Sequence, residues 1–209
     1  MKINEIFYSI QGEGSWAGLP NIFIRTTGCN LRCSFCDTKY AYENGIDMKI
    51  EKILSAIEKY PCKHVCLTGG EPLLQQKSVD LIYALLEKNY KICLETNGSI
   101  DIKRVSHKKS LMISLDIKCP SSDMYRRMRL DNISYISEND QLKFVIKNRD
   151  DYDYAKAIIK KYKPRCIVFF QPVWCTNPEN LSTWILNDGL NVRLGLQLHK
   201  ILFGDKKGT

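Results

Sequence analysis

The chain reads as an α/β fold, an incomplete (partial) TIM-like barrel of about six parallel strands with few, abbreviated helices. Three observations carry this reading. Short apolar runs alternate with longer amphipathic stretches, the order expected of βα units around a largely parallel sheet. Polar and glycine-bearing motifs fall at the C-terminal ends of those runs, which share one face of a parallel barrel. One connection is also too short for a full crossover helix.

In chain order the strand candidates are Ile22 to Arg25, His64 to Thr68, Lys91 to Glu95, Leu111 to Asp116, Leu142 to Ile146, Ile167 to Phe170 and Val192 to Gln197. Ile50, Ile53, Leu54, Ile57 and Tyr60 recur at helical spacing after the first run. Leu74, Leu81, Ile82, Leu85 and Leu86 form a second stripe, and Tyr152, Ala155, Ile159 and Tyr162 a third. Between the third and fourth strands, Asp101-Ile102-Lys103-Arg104-Val105 has room for about one or two helical turns. The 209 residues contain no internal repeat, low-complexity tract or long Gly/Ser linker, so a single domain over residues 1–209 is expected.

Hydrophobic residues make up 44% and charged residues 26%, with no apolar run near bilayer-spanning length, so no membrane partner is expected. Met1-Lys2-Ile3-Asn4-Glu5 brings in a charge before an apolar signal core could form, and a reducing, cytoplasmic location is the default expectation. Nine cysteines, an odd number, do not suit a disulfide framework. Cys62, Cys66, Cys93, Cys119, Cys166 and Cys175 are scattered, several of them within apolar runs such as Val65-Cys66-Leu67 and Ile92-Cys93-Leu94, and most read as small buried hydrophobes. A formal charge of +8 could steer a phosphate-bearing ligand, a nucleic acid or an acidic redox protein, or simply mark a solvated basic surface. No stretch interleaves basic with aromatic residues, and nucleic acid is not expected as a partner.

Cys29, Cys33 and Cys36, in the spacing C-x3-C-x2-C, are the most informative feature. A 4Fe-4S cube held by three clustered thiolates keeps one iron open for a small molecule. Structural zinc would need a fourth ligand, and only Cys62 and His64, by folding back, are on offer. Gly69-Gly70-Glu71-Pro72 ends the second strand; the glycine pair is either an ordinary turn or a place where backbone approaches a ligand.

The cysteine triad with Phe35 directly before Cys36, followed by Gly69-Gly70-Glu71-Pro72, resembles the radical S-adenosylmethionine (SAM) superfamily. A second tier narrows the resemblance. Glu5-Ile6-Phe7-Tyr8-Ser9-Ile10-Gln11-Gly12-Glu13-Gly14, Phe23-Ile24-Arg25-Thr26-Thr27-Gly28, Cys36-Asp37-Thr38, Glu95-Thr96-Asn97-Gly98 and Leu196-Gln197-Leu198-His199-Lys200 are similar to the 7-carboxy-7-deazaguanine synthase family. That resemblance implies conversion of 6-carboxy-5,6,7,8-tetrahydropterin to 7-carboxy-7-deazaguanine by radical ring contraction with loss of ammonia, a step toward queuosine- or archaeosine-type nucleosides.

It further implies a 4Fe-4S cluster on Cys29, Cys33 and Cys36, and SAM lined by Phe35, Asp37, Gly69, Gly70, Glu71, Gly98, Ser114, Asp116, Lys118 and Gln171. The pterin would meet Ile10, Gln11, Gly12, Glu13, Arg25, Thr96 and His199, and Mg2+ would take Thr38. A homodimer and an electron donor such as flavodoxin or ferredoxin are implied as partners. The chemistry suits the assignments: a substrate carboxylate fits the Arg25 fork, and magnesium takes hard oxygen ligands. Ordinary readings exist too. The Gln11 segment could be a surface turn, His199 a helix cap and Thr38 an N-cap. Another small radical SAM enzyme, such as a glycyl-radical activase, would share the cluster loop without the pterin set, while a zinc-holding nucleic-acid module would lack both.

Overall fold

The computed structural model describes all 209 residues. Its elements are β1 (Lys2–Ile10), β2 (Pro20–Thr26), β3 (Ile46–Asp47), α1 (Ile50–Glu58), β4 (His64–Gly69), α2 (Lys77–Glu87), β5 (Lys91–Thr96), β6 (Leu111–Asp116), β7 (Gln141–Ile146), α3 (Arg149–Tyr162), β8 (Ile167–Pro172), α4 (Pro178–Asp188), β9 (Arg193–Leu194) and α5 (Leu198–Phe203). They build one nine-stranded sheet in the order β3-β1-β2-β4-β5-β6-β7-β8-β9. β2 and β4 to β9 run parallel, and β1 runs antiparallel to both β2 and β3. The order is linear, so the barrel is open between β3 and β9.

Period-two alternation decides what each strand face does. Ile22, Ile24, Val65, Leu67, Ile92, Leu94, Ile113, Leu115, Leu142, Phe144, Val168 and Phe170 join a core of 34 buried residues. Each such side chain contributes about 1.5–3 kcal/mol by leaving water. The alternate residues, including Arg25, Thr68, Glu95, Asp116, Lys143 and Gln171, face a cavity of about 510 Å³. One side of the sheet thus supplies stability and the other chemistry.

Local signals account for the helices. In α3 the Asn148 side chain accepts from Asp151 N at 3.1 Å, acids occupy the first turn, Lys160 and Lys161 the last, and Lys163 stops it at φ 46°. α4, not anticipated from periodicity, is capped by Asn177 and stopped by Gly189, but buries only Leu181 and Ile185, too few to make a visible stripe. The β5–β6 and β6–β7 crossovers contain no α-helix. Buried polar side chains tie them down instead. Asn132 Nδ2 donates to the Gly98 and Ile100 carbonyls at 3.1 and 2.8 Å, and Asp140 accepts from Ile113 N at 2.7 Å.

Two strands depart from expectation. β1 carries the Glu5 to Gly14 motif and buries only Ile3 fully, so its alternation is blurred in the sequence. β9 shrinks from the expected Val192 to Gln197 to two residues, because Leu198 N turns to donate to the Gly12 carbonyl at 2.9 Å and α5 begins. No helix is long and apolar enough to cross a membrane.

Candidate active site

The loop after β2 turns at Gly28, whose φ of +99° favours glycine. Leu31, 1% exposed, plugs the loop into the protein, and Cys29, Cys33 and Cys36 are left half-buried on the cavity wall. Arg32 donates to the Cys29 and Leu31 carbonyls at 2.8 Å and lies 4.3 Å over the Tyr42 ring. Leu31 N and Asn97 Nδ2 both approach Cys29 Sγ, at 3.4 and 3.7 Å. Burial pushes the Cys29 thiol up and the Cys33 thiol up to about 11. Three cysteines on one cavity wall offer a set of soft ligands, and a bound cation would hold them as thiolates. Cys62 and His64 sit at the opposite end of β4, with His64 edge-on to Trp16, and contribute nothing here.

The glycine pair packs the second strand's turn directly on this loop. A Cβ at Gly70 would lie 2.4 Å from the Gly28 carbonyl oxygen and 2.7 Å from Cys29 Cβ. Glu71 N donates to the Gly28 carbonyl at 2.8 Å. Gly70 thus approaches the cysteine loop's own backbone and Gly69 that of Thr26 on β2, while both also line the cavity.

Three residues expected on the SAM wall stand behind it. Glu71 is wholly buried, and its carboxylate accepts from Leu73 N, Asn97 N and Thr96 Oγ1 at 2.7–3.0 Å. Burial outweighs those donors and lifts it to about 7. Gly98 offers its carbonyl to Arg129 N and Asn132, and the Ser114 hydroxyl accepts from Gln141 Nε2 at 2.8 Å. Each is used up holding a loop or strand in place.

Deeper in the cavity lies an ionic cluster that sequence reasoning missed in part. Lys143 Nζ is 2.8 Å from Glu13, 3.4 Å from Glu95 and 3.6 Å from Asp116, with only 9% of its side chain exposed. Lys118 Nζ reaches Asp116 at 2.9 Å. Burial alone would discharge Lys143, but the three carboxylates hold it protonated. Burial would likewise raise Glu13, yet Lys143, helped by His199 and Gln197, brings it down to about 2. Glu13 is thereby a fixed anion and acceptor.

Arg25 is preset for an anion. Its Nε donates to Glu5 at 2.7 Å, Tyr40 donates to the same Glu5 oxygen at 2.9 Å, and Phe7 and Tyr40 rings lie 5.8 and 5.7 Å from the guanidinium. Gln11 is buried rather than a surface turn, and its Nε2, Asp116 Oδ1 and Gln171 Oε1 are buried at this cavity without hydrogen-bond partners. Unpaired buried polar atoms are costly, and all three belong to residues that line this cavity, as partners for a polar ligand would.

α5 closes the remaining side. A Cβ at Gly12 would fall 2.1 Å from His199 Nδ1, so only glycine admits this approach. Gln197 Nε2 donates to Glu13 and Asp37 at 3.0 and 3.4 Å, while Asp205 and Thr209 of the tail also line the cavity. His199 lies inside α5 and Thr38 makes no cap; its hydroxyl donates to Asp37 at 2.7 Å, pairing two hard oxygens at the rim. Ile10, Phe35, Gly69 and Thr96 complete the expected set on the wall.

The Radical SAM superfamily model matches residues 23–168. Along its full length the chain is 38% identical to 7-carboxy-7-deazaguanine synthase of Thermoplasma acidophilum, covering 100% of both. It is 37% identical to the Methanospirillum hungatei enzyme of that name, covering 97% of this chain and 85% of the other. The fold is similar to the crystal structure of QueE from Escherichia coli, with a TM-score of 0.79 at 22% identity over 95% and 94% of the two chains. An open parallel sheet, three cysteines at its C-terminal rim and full-length similarity at this level agree: the chain belongs to the radical SAM superfamily and, within it, to the 7-carboxy-7-deazaguanine synthase family.

Proposed function

We propose that the chain converts 6-carboxy-5,6,7,8-tetrahydropterin to 7-carboxy-7-deazaguanine in deazapurine biosynthesis. The observation that carries this reading is that one cavity is lined both by the three-cysteine loop and by Gln11, Gly12, Glu13, Arg25, Thr96 and His199. The net change is loss of one ammonia with no net oxidation, so SAM can serve as a regenerated cofactor.

The residues fit the groups the reaction requires. Cys29, Cys33 and Cys36 would hold the 4Fe-4S cluster, and Asp116, Lys118 and Gln171, with the Gly69–Gly70 backbone, would face SAM. Asp37 and Thr38 offer the hard oxygens that Mg2+ prefers. Cluster and SAM together supply hydrogen-atom abstraction from carbon.

The chain's own part is recognition and enclosure. Arg25, preset by Glu5, receives the substrate carboxylate. Glu13, kept ionised by Lys143, accepts from the pterin's amino and amide N–H groups, and Gln11 donates or accepts beside it. Phe7 and Phe23, stacked at 4.8 Å, provide an apolar wall. His199, Asp205 and Thr209 line one side of a cavity whose volume, about 510 Å³, suits a small molecule. A soluble one-electron donor such as flavodoxin or ferredoxin, a homodimeric state and a cytoplasmic location belong to the same proposal.

The test is anaerobic reconstitution of the cluster, then SAM, reductant, magnesium and the pterin, with product followed by mass. Turnover is expected, absent in Cys33→Ala. Arg25→Gln should keep SAM cleavage and lose pterin conversion. An enzyme that cleaves SAM but never converts the pterin overturns the substrate assignment.

A further inference from the structure

Cys66 and Cys93 are register partners on β4 and β5, and both side chains project to the inner face, each 1% exposed. Glu95 follows on that face two residues along β5. The ligand atoms of the three lie within 4.8 Å of one another, and Cys93 Sγ is 3.6 Å from Glu95 Oε1. Tetrahedral zinc, with Zn–S near 2.3 Å and Zn–O near 2.1 Å, needs S···O of about 3.6 Å and S···S of about 3.8 Å. We propose that Cys66, Cys93 and Glu95 form a second metal site, separate from the cluster loop, for one soft divalent cation of the zinc or cadmium class.

Three further features favour it. Lys143 engages Glu95 through Oε2, leaving Oε1 for a ligand role. Exchange of two thiol protons for one divalent cation leaves the buried charge unchanged, so the cost of burying a net ion does not arise. Cys66 and Glu95 both touch the cavity, which supplies an entry path and an open fourth position. Two thiolates select a soft ion, so magnesium would not compete. The inference does not depend on which substrate the cavity takes.

The test titrates Cd2+ alone into anaerobic, cluster-loaded enzyme. It follows the ultraviolet thiolate-to-cadmium charge-transfer band, proton release, and iron and sulfide content. One cadmium per chain, two protons released and unchanged iron and sulfide are expected. Cys66→Ser and Cys93→Ser should each weaken binding about 100-fold; Glu95→Gln should weaken it about tenfold while keeping the thiolate band. Cys62→Ser and Cys175→Ser should bind as the parent does. Matched thermal melts and the milder Glu95→Gln guard against misfolding. Parent-like cadmium binding in the Cys66→Ser/Cys93→Ser double variant, or uptake only as iron is lost, overturns the site.

Discussion

Lys143→Met removes the cation that three carboxylates share, while keeping the stem's length and apolar packing. In the parent, Glu13 falls from its ordinary 4.5 to about 2, which at about 1.4 kcal/mol per tenfold change in proton affinity is on the order of 3 kcal/mol of stabilisation. Loss of one partner from a buried ion pair generally costs about 3–5 kcal/mol, so the two routes agree. The pH dependence identifies the cause. In the parent the folded-state affinity lies below the unfolded one, so Glu13's contribution is complete above about 4.5 and is lost as pH falls toward 2. Without Lys143, burial is the dominant influence left, Glu13 binds protons more tightly folded than unfolded, and its cost grows as pH rises above about 4.5. Urea unfolding followed by circular dichroism should therefore show a loss of about 4–5 kcal/mol near pH 8 and about 1–2 kcal/mol less near pH 5. Adding Glu95→Gln should restore about 1 kcal/mol or more, since one stranded carboxylate is then gone. A loss under about 1 kcal/mol near pH 8, or one indifferent to pH, would refute the shared-cation account.

Gly70→Ala places a methyl group 2.4 Å from the Gly28 carbonyl, so the cysteine loop must move; iron and sulfide per chain after reconstitution should fall at least about fivefold, and full loading would show the loop to be pliant. Glu71, lifted from 4.5 to about 7, binds protons better folded than unfolded, so it lowers parent stability progressively from about pH 4.5 to 7, by about 3 kcal/mol in all. Glu71→Gln should remove that slope from denaturation curves taken across the range; an unchanged slope refutes the assignment. Gly12→Ala meets His199 along its whole side chain, Nδ1 at 2.1 Å and Cβ at 2.9 Å, so His199 and the start of α5 should be displaced while the sheet core, which the substitution does not touch, stays folded by circular dichroism. Substrate affinity measured by calorimetry should weaken about tenfold or more, and parent-like affinity would remove His199 from the site.

What could be seen in the sequence followed from how each residue is used. Leu111 to Asp116 is a strand as expected, because Leu111, Ile113 and Leu115 meet the core while Met112, Ser114 and Asp116 turn inward, all buried. The cysteine loop was legible because cluster ligands must come from a short, spaced segment. Lys143 was not, and Glu95, although it opens the Glu95-Thr96-Asn97-Gly98 motif, had no assigned role. A single charge inside Leu142-Lys143-Phe144-Val145 reads as the solvent side of a half-buried strand, and only the assembly of the strands around one cavity turns that side into its wall. Glu71 shows the converse: its motif marked the site, but burial and three donors make it a brace behind the wall. β1 was hidden by partial burial, and α4 by having two buried residues in eleven.

The net charge of +8 is also relocated by the structure. The cavity lining holds Glu13, Asp37, Glu95, Asp116 and Asp205 against Arg25, Lys118, Lys143 and Lys200, so it carries no share of the basic excess. Within it Lys143, Lys118 and Lys200 are each paired with acids, and Arg25 is the one guanidinium, spending Nε on Glu5. The surplus cations lie outside, as at Lys160 and Lys161 at the end of α3. Screening at physiological salt confines exposed charges to about 8 Å. Surface charge can therefore speed the arrival of an anionic ligand, while on the proposed reading the choice of anion falls to the lining itself, where Arg25 is the one guanidinium and Glu13 a fixed anion.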